Sequence, residues 1–461
     1  MRGDKGKPPT LAWQVRTSTS GASTLHWAGD AKAGVEPFRW AGGQWTWGYL
    51  DARERAYPNL VAYDRAYPAP DLLRPVTCIG NVRTEGDTDA DGPELIRSRI
   101  LADDPRPPYL LAGGGTDTGA RALRRIEQDW RNTPEWGRVF RQVCEKAIIF
   151  MIVTQDDTCR DYIAGAWPEM RTLHRTSISG TALMFDEAVV PAGCLHVHGG
   201  GWLKPHPLDK GPLPALCHTW SDGHVYPGER EQSQFGSNLG LAAGTWWGHQ
   251  VRERHDMISE GDSPSFLYLI DKGLRSTEDS GFGGWGGRFR RVRDNEFNPE
   301  ADYWATAPDA CEPPMRGEAY QLTRWTRDWM MDFASRASWC VTPRYEDANH
   351  APEVTVAEGL DLVASAGERL VLHAMASDPG GDEVSCGWFR YADADGYAGA
   401  VVLEADGSVC TVLMPDDARP GPRRHRPRNL PCHGRGRRAR RIHGGLCPRH
   451  HYRGRRRGPA H

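Results

Sequence analysis

Tyr109-Leu110-Leu111-Ala112-Gly113-Gly114-Gly115-Thr116-Asp117-Thr118 and Ala147-Ile148-Ile149-Phe150-Met151-Ile152-Val153-Thr154-Gln155-Asp156-Asp157 are the stretches whose reading decides the fold. Each opens with an apolar run too short for a helix and ends in residues that favour turns, which predicts a buried strand. Between them Ala120, Leu123 and Ile126 share one helical face, and Val139, Val143 and Cys144 share another. Thr133-Pro134 predicts the start of the second helix, as a cap followed by a first-turn proline. Strand, glycine loop, helices, strand and polar loop, in that order, describe an α/β protein with an open, mostly parallel sheet. Both loops then leave the carboxyl ends of strands, where open α/β sheets bind their ligands.

Reading outward, residues 36–60 are rich in Trp and Gly, and residues 187–259 are loop-like with many Gly, His and Trp. Leu322, Trp325, Trp329 and Phe333 predict one long amphipathic helix over about residues 319–338. A polar linker at 343–353 precedes short alternating runs: Leu370–Ala374, Gly387–Tyr391 and Val409–Leu413. Turns at Asp378-Pro379-Gly380-Gly381-Asp382 and Asp406-Gly407 separate them, which predicts a small all-β immunoglobulin-like sandwich over 354–417 with Trp388 in its core.

Composition narrows the function. The 461 residues are 39% hydrophobic, the proportion of a globular protein with sizeable cores. The longest apolar run, Ala147 to Val153, is far short of the roughly 18 residues of a membrane span. Eleven cysteines without a Cys-x-x-Cys spacing make neither a zinc ribbon nor a disulfide scaffold. No signal peptide is readable at the start, so the location of the protein stays open. Residues 1–417 carry a net charge of −18, which argues against nucleic acid as the natural partner. The last 44 residues hold 15 Arg, 6 His, no Lys and no acid. Two readings fit residues 418–461: a basic arm for an anionic surface, or text from a slipped reading frame in a GC-rich gene. The absence of Lys and the presence of Cys432 and Cys447 favour the second.

Several constellations could carry chemistry. Gly113-Gly114-Gly115-Thr116-Asp117 could hold sugar hydroxyls or an anion at a helix N-terminus, or be a tight turn with an acidic cap. Asp156 and Asp157 could bind a cation or activate water, or be solvated turn residues. Glu260-Gly261-Asp262-Ser263-Pro264 precedes an apolar run, so Asp262 reads equally as a metal ligand or as a helix cap. His196-Val197-His198 would put two imidazoles on one face of a strand, with no metal-site spacing around them. Among eighteen tryptophans, Trp285 sits within Gly283-Gly284-Trp285-Gly286-Gly287-Arg288, where an exposed ring could stack on a sugar.

In order and wording, Gly114–Thr118, Gln155-Asp156-Asp157, Glu260–Ile270 and Gly283–Phe289 together resemble a bacterial family of cellulose-binding, nucleoside-hydrolase-like domains of unknown function. Ala56-Tyr57-Pro58-Asn59-Leu60, Tyr67-Pro68, Asn349-His350-Ala351-Pro352 and Ala376-Ser377-Asp378-Pro379 fit the same family. The resemblance implies a nucleoside-hydrolase-like domain over 25–342, and a Ca²⁺ ion that holds sugar hydroxyls and activates water against a glycosyl bond. It implies Asp262 as metal ligand, Asp156 or Asp157 as ligand or base, and Gly114, Thr116, Asp117, Glu260 and Trp285 as substrate contacts. The expected partner is a carbohydrate or nucleoside-like molecule, cellulose included, and the alternative function is polysaccharide binding without catalysis. The family's N-terminal Asp-Pro-Asp-Asp motif is not found, and residues 1–24 look unrelated to it. The expectation is therefore an incomplete calcium site, a truncated sheet, an unclosed sandwich and poor solubility.

Overall fold

The computed structural model describes residues 17–19, 44–81, 90–177, 188–219, 222, 253–257, 261–270, 272–417, 441–442 and 446–450. The chain forms two compact units, one of Met1–Ile270 with Gly284–Asp347, the other of Asp271–Gly283 with Ala348–His461.

The first unit runs β1 (Thr17–Thr19), α1 (Gln44–Tyr63), β2 (Thr77–Ile79), α2 (Asp91–Leu101), β3 (Tyr109–Ala112), α3 (Asp117–Trp130), α4 (Trp136–Lys146), β4 (Ile148–Ile152), β5 (Arg171–Arg175), α5 (Ser263–Leu267), β6 (Phe289–Arg291), β7 (Tyr303–Thr306), α6 (Gly317–Thr323) and α7 (Thr326–Trp339). Its main sheet has the order β3-β4-β5-β7-β6. The first four strands are parallel, and β6 is antiparallel to β7 at the edge. β1 and β2 form a separate parallel pair.

β4 explains why its sequence is apolar without alternation: both faces of a parallel strand are covered. Ile149 and Met151 point into a core with Ala120, Leu123 and Ile126 of α3 and Val139, Val143 and Cys144 of α4. Phe150 and Ile152 point the other way, against Leu173, Tyr268 and Phe289. Burying a side chain such as Leu123 completely contributes about 2 kcal/mol, so these two layers fix the sheet and the loops that leave it.

Two helix expectations change. α4 begins at Trp136 rather than at Thr133-Pro134, because the Thr133 hydroxyl donates backward to Trp130 O at 2.8 Å and closes the preceding helix instead. The single helix expected over 319–338 is two, α6 and α7, and the break falls at Arg324, whose guanidinium turns to a buried carboxylate on Asp309. His196-Val197-His198 is the end of a 3₁₀ turn rather than a strand; His198 is buried, with Nδ1 3.3 Å from Cys194 O, while His196 is exposed.

The second unit contains β8 (Glu353–Val356), β9 (Leu362–Val363), β10 (Arg369–Ser377), β11 (Cys386–Arg390), β12 (Val402–Asp406), β13 (Val409–Leu413), β14 (Arg441–Ile442) and β15 (Leu446–His450). A four-stranded antiparallel sheet has the order β12-β13-β10-β8, and Leu372, Cys410 and Val412 form its core with Trp388 packed against them. In the tail, the backbone of β14 pairs with β9 and that of β15 with β11, each as a separate two-stranded pair. Within this unit Arg275 pairs with Asp361 at 2.9 Å.

Candidate functional site

The loops after β3 and β4 are stitched together by one carboxylate. Asp156 Oδ1 accepts from Thr158 N at 3.0 Å, Thr158 Oγ1 at 2.7 Å and Thr116 Oγ1 at 3.2 Å, and Oδ2 accepts from Asp117 N at 3.0 Å. Asp156 thereby caps the N-terminus of α3 from the neighbouring strand, where an anion is stabilised by the unpaired amides and the helix dipole. Thr116 occupies the cap position itself, and its own side chain does not cap the helix. Gln155 Nε2 adds a second stitch, donating to Ile152 O at 3.1 Å and to Gly113 O. The turn into this loop passes through Val153 at φ +46°, a left-handed conformation that a β-branched residue adopts only when its surroundings enforce it.

The glycines have a specific cause. A Cβ on Gly115 would overlap the Asp156 carboxyl group, and one on Gly113 would overlap that of Asp262. Two carboxylates therefore lie against one turn of backbone, and only glycine leaves room for them. Asp262 stands one residue before α5, at its N-cap position, but its carboxylate makes no capping bond; it is turned to the glycine loop. Asp262 is exposed to solvent, yet protein packed around it pushes its carboxyl up to about 6.

Asp117 is buried as the first residue of α3, with Oδ2 accepting from Asn81 Nδ2 at 2.6 Å. Burial, reinforced by the charge of Asp156 and opposed by the Asn81 bond and by Arg124 and Arg121, pushes its carboxyl to about 6. Asn81 is 1% exposed; its backbone N–H donates to Thr118 Oγ1 at 3.1 Å, and its Oδ1 has no hydrogen-bond partner among the described residues.

The structure thus brings Gly113, Gly115, Thr116, Asp117, Asp156 and Asp262 together, with Gly114 half-buried in the same loop. It does not bring Asp157, which is exposed and paired with Arg160 at 2.8 Å. The expectation that Trp285 is an exposed stacking platform is overturned: the ring is buried at 6% exposure. Glu260 lies outside the described residues. Sequence reasoning missed Asn81 and Thr158. A polar residue directly after the Thr77–Ile79 strand and Gly80, and a threonine two residues after a loop aspartate, were the available signals.

Ca²⁺ takes six to eight oxygens. Asp156 already accepts four hydrogen bonds, and among the described residues no three His, Cys, Asp or Glu side chains converge on a common point. The described residues do not by themselves make the calcium site that the resemblance implies. Nor, among them, is any helix long and apolar enough to cross a membrane.

A mostly parallel sheet with carboxylates and a glycine loop at its strand ends, joined to an antiparallel β unit, defines a protein of the nucleoside-hydrolase-like α/β class. More narrowly, the chain belongs to the family described as "Cellulose-binding Sde182, nucleoside hydrolase-like domain", which matches residues 45–289. A solved structure from Saccharophagus degradans, described as a nucleoside hydrolase-related hypothetical protein associated with carbohydrate metabolism, is similar in fold. Its TM-score is 0.61 at 23% identity, with 83% of this chain and 82% of that one covered. No curated protein matches the sequence.

Proposed function

We propose that the glycine loop and carboxylates at the ends of β3 and β4 bind a carbohydrate, with Asp262 and Asp117 taking ring hydroxyls and the Gly113–Gly115 backbone letting the sugar approach closely. The observation that carries this reading is Asp262: an exposed carboxylate, held against a glycine that leaves it room, with no hydrogen-bond donor reaching it among the described residues. Sugar hydroxyls are the donors such a group would accept, and a charge-assisted bond of this kind is stronger than a neutral one. The family's description as cellulose-binding supports a β-glucan as the ligand class.

A second reading, hydrolysis of a glycosyl bond, is favoured by one observation. Asp117 and Asp262 both have carboxyls raised to about 6, which suits proton transfer near neutral pH. Asp156 is not assigned the base role, because both its oxygens are engaged in holding the loops. Titration of cellohexaose into the protein, with reducing-end release measured in parallel, tests both readings. Binding that weakens about tenfold or more in Asp262→Asn, with no product, supports the binder. Product that disappears in Asp262→Asn supports the hydrolase, and no binding by the wild type refutes the site.

A further inference from the structure

We infer that residues 284–288 form a strap whose purpose is to position Asp262, and that Gly286, Gln321 and Asp309 are positioning residues for the site. The sugar-binding role of Asp262 rests on the proposed function; the strap itself rests on geometry. α5 is barely more than one turn long, too short to hold its own orientation. From beneath, Tyr268 at its end keys into the sheet, with ring centroids 5.5 Å from Phe150, 5.8 Å from Phe289 and 6.2 Å from Tyr109. From above, Gly286 lies directly on the same turn, where a Cβ would overlap Pro264 O and the Tyr268 backbone. Asp262 is covalently next to this pinned turn, so the place of its carboxylate beside Gly113 follows from the pinning.

The strap is fixed at its far end. Gly287, at φ +101°, is packed against the Gln321 amide, and Gln321 Oε1 accepts from Arg288 N at 2.5 Å. Arg288 Nε then pairs with Asp309 at 2.8 Å, and Asp309, with its side chain fully buried, also takes Arg324 at 2.8 Å. Two guanidinium groups around one buried carboxylate make this end intolerant of losing Asp309, because the arginines would be left facing each other. The clamp touches neither the glycine loop nor Asp262 in any of these contacts, so its influence on the site runs through α5.

Gly286→Ala and Gln321→Leu test the inference, each measured by amide exchange and by cellohexaose titration. In both variants amides 263–268 and, across the site, 113–117 should lose protection while β4 and β5 keep theirs. Affinity should fall about tenfold, as in Asp262→Ala, and adding Asp262→Ala to Gly286→Ala should cost nothing further. Folded variants with unchanged exchange at 113–117 overturn the inference, as does a full additional loss in the double variant. If the wild type does not bind cellohexaose, the sugar reading alone fails and exchange at 113–117 still decides the strap. If Gly286→Ala does not fold, Gln321→Leu carries the same comparison.

Discussion

Replacing Asp156 by Asn separates a carboxylate that builds the site from one that reacts in it. The substitution keeps the volume and one acceptor oxygen. If that oxygen stays where three donors converge, from Thr116 and from both groups of Thr158, the new amide NH₂ faces Asp117 N across the 3.0 Å gap that Oδ2 now bridges. Two donors then oppose each other and one buried helix amide goes unsatisfied, which costs about 1–3 kcal/mol. The three remaining bonds lose their charge assistance, adding about 0.5 kcal/mol each. The flipped rotamer returns an acceptor to Asp117 N and lets the two threonine hydroxyls accept from the NH₂, but it leaves the Thr158 amide opposed instead, so neither rotamer satisfies both backbone donors. A net loss of about 3 kcal/mol is expected in the denaturant transition that reports the α/β unit, with faster exchange at the Asp117 and Thr158 amides. A loss below about 1 kcal/mol with unchanged protection would refute the reasoning and return Asp156 to the list of reacting groups.

Gly115→Ala drives a methyl group into the same carboxylate and should destabilise by about 1–3 kcal/mol in denaturant melts, whereas Gly137→Ala, with open space around it, should be neutral or stabilising. Because the folded state raises the Asp117 carboxyl from its ordinary 3.8 to about 6, the folded chain holds that proton more tightly than the unfolded one. Stability should therefore decline as pH rises through this window, with about 1–2 kcal/mol of the decline due to Asp117 after solvent screening, and the decline between about pH 4.5 and 7.5 in urea melts should shrink in Asp117→Asn to the part that the similarly raised Asp262 contributes. Trp285→Ala should cost about 3–5 kcal/mol of stability, as for a core aromatic; a loss under about 1 kcal/mol would restore the exposed platform. Calcium titrated into EDTA-treated protein should give no saturable heat up to about 1 mM, and micromolar binding would show that other residues complete a site.

The sheet was legible because apolar runs and helical spacing report burial directly: Ile149 and Phe150 face opposite layers as a two-sided strand requires. The glycine loop and Asp262 were legible as a juxtaposition through the family resemblance. What the residues do there was not. Whether Asp156 or Asp157 points inward depends on how the chain turns at Val153, and that kink is imposed by tertiary structure. Trp285 misled because its glycine neighbours suggest exposure, whereas at Gly286 and Gly287 glycine is needed for close packing against α5 and Gln321. The break at Arg324 was invisible because periodicity reports a buried face and not a charged partner on Asp309, outside the helix.

The chain leaves the first unit after Ile270 and re-enters it at Gly284, having contributed Asp271–Gly283 to the second. Cutting the gene at residue 347 would therefore not yield a clean module. The shorter product would keep Arg275 and its pairing with Glu278 but lose Asp361, which now ties the segment between α5 and the strap to the rest of its own unit. Such a fragment would have to close that loop against its own entropy, at the place where Asp262 is set. For recombinant work the consequence is topological: the units are interleaved in sequence, and expression boundaries should follow the whole excursion rather than the linker.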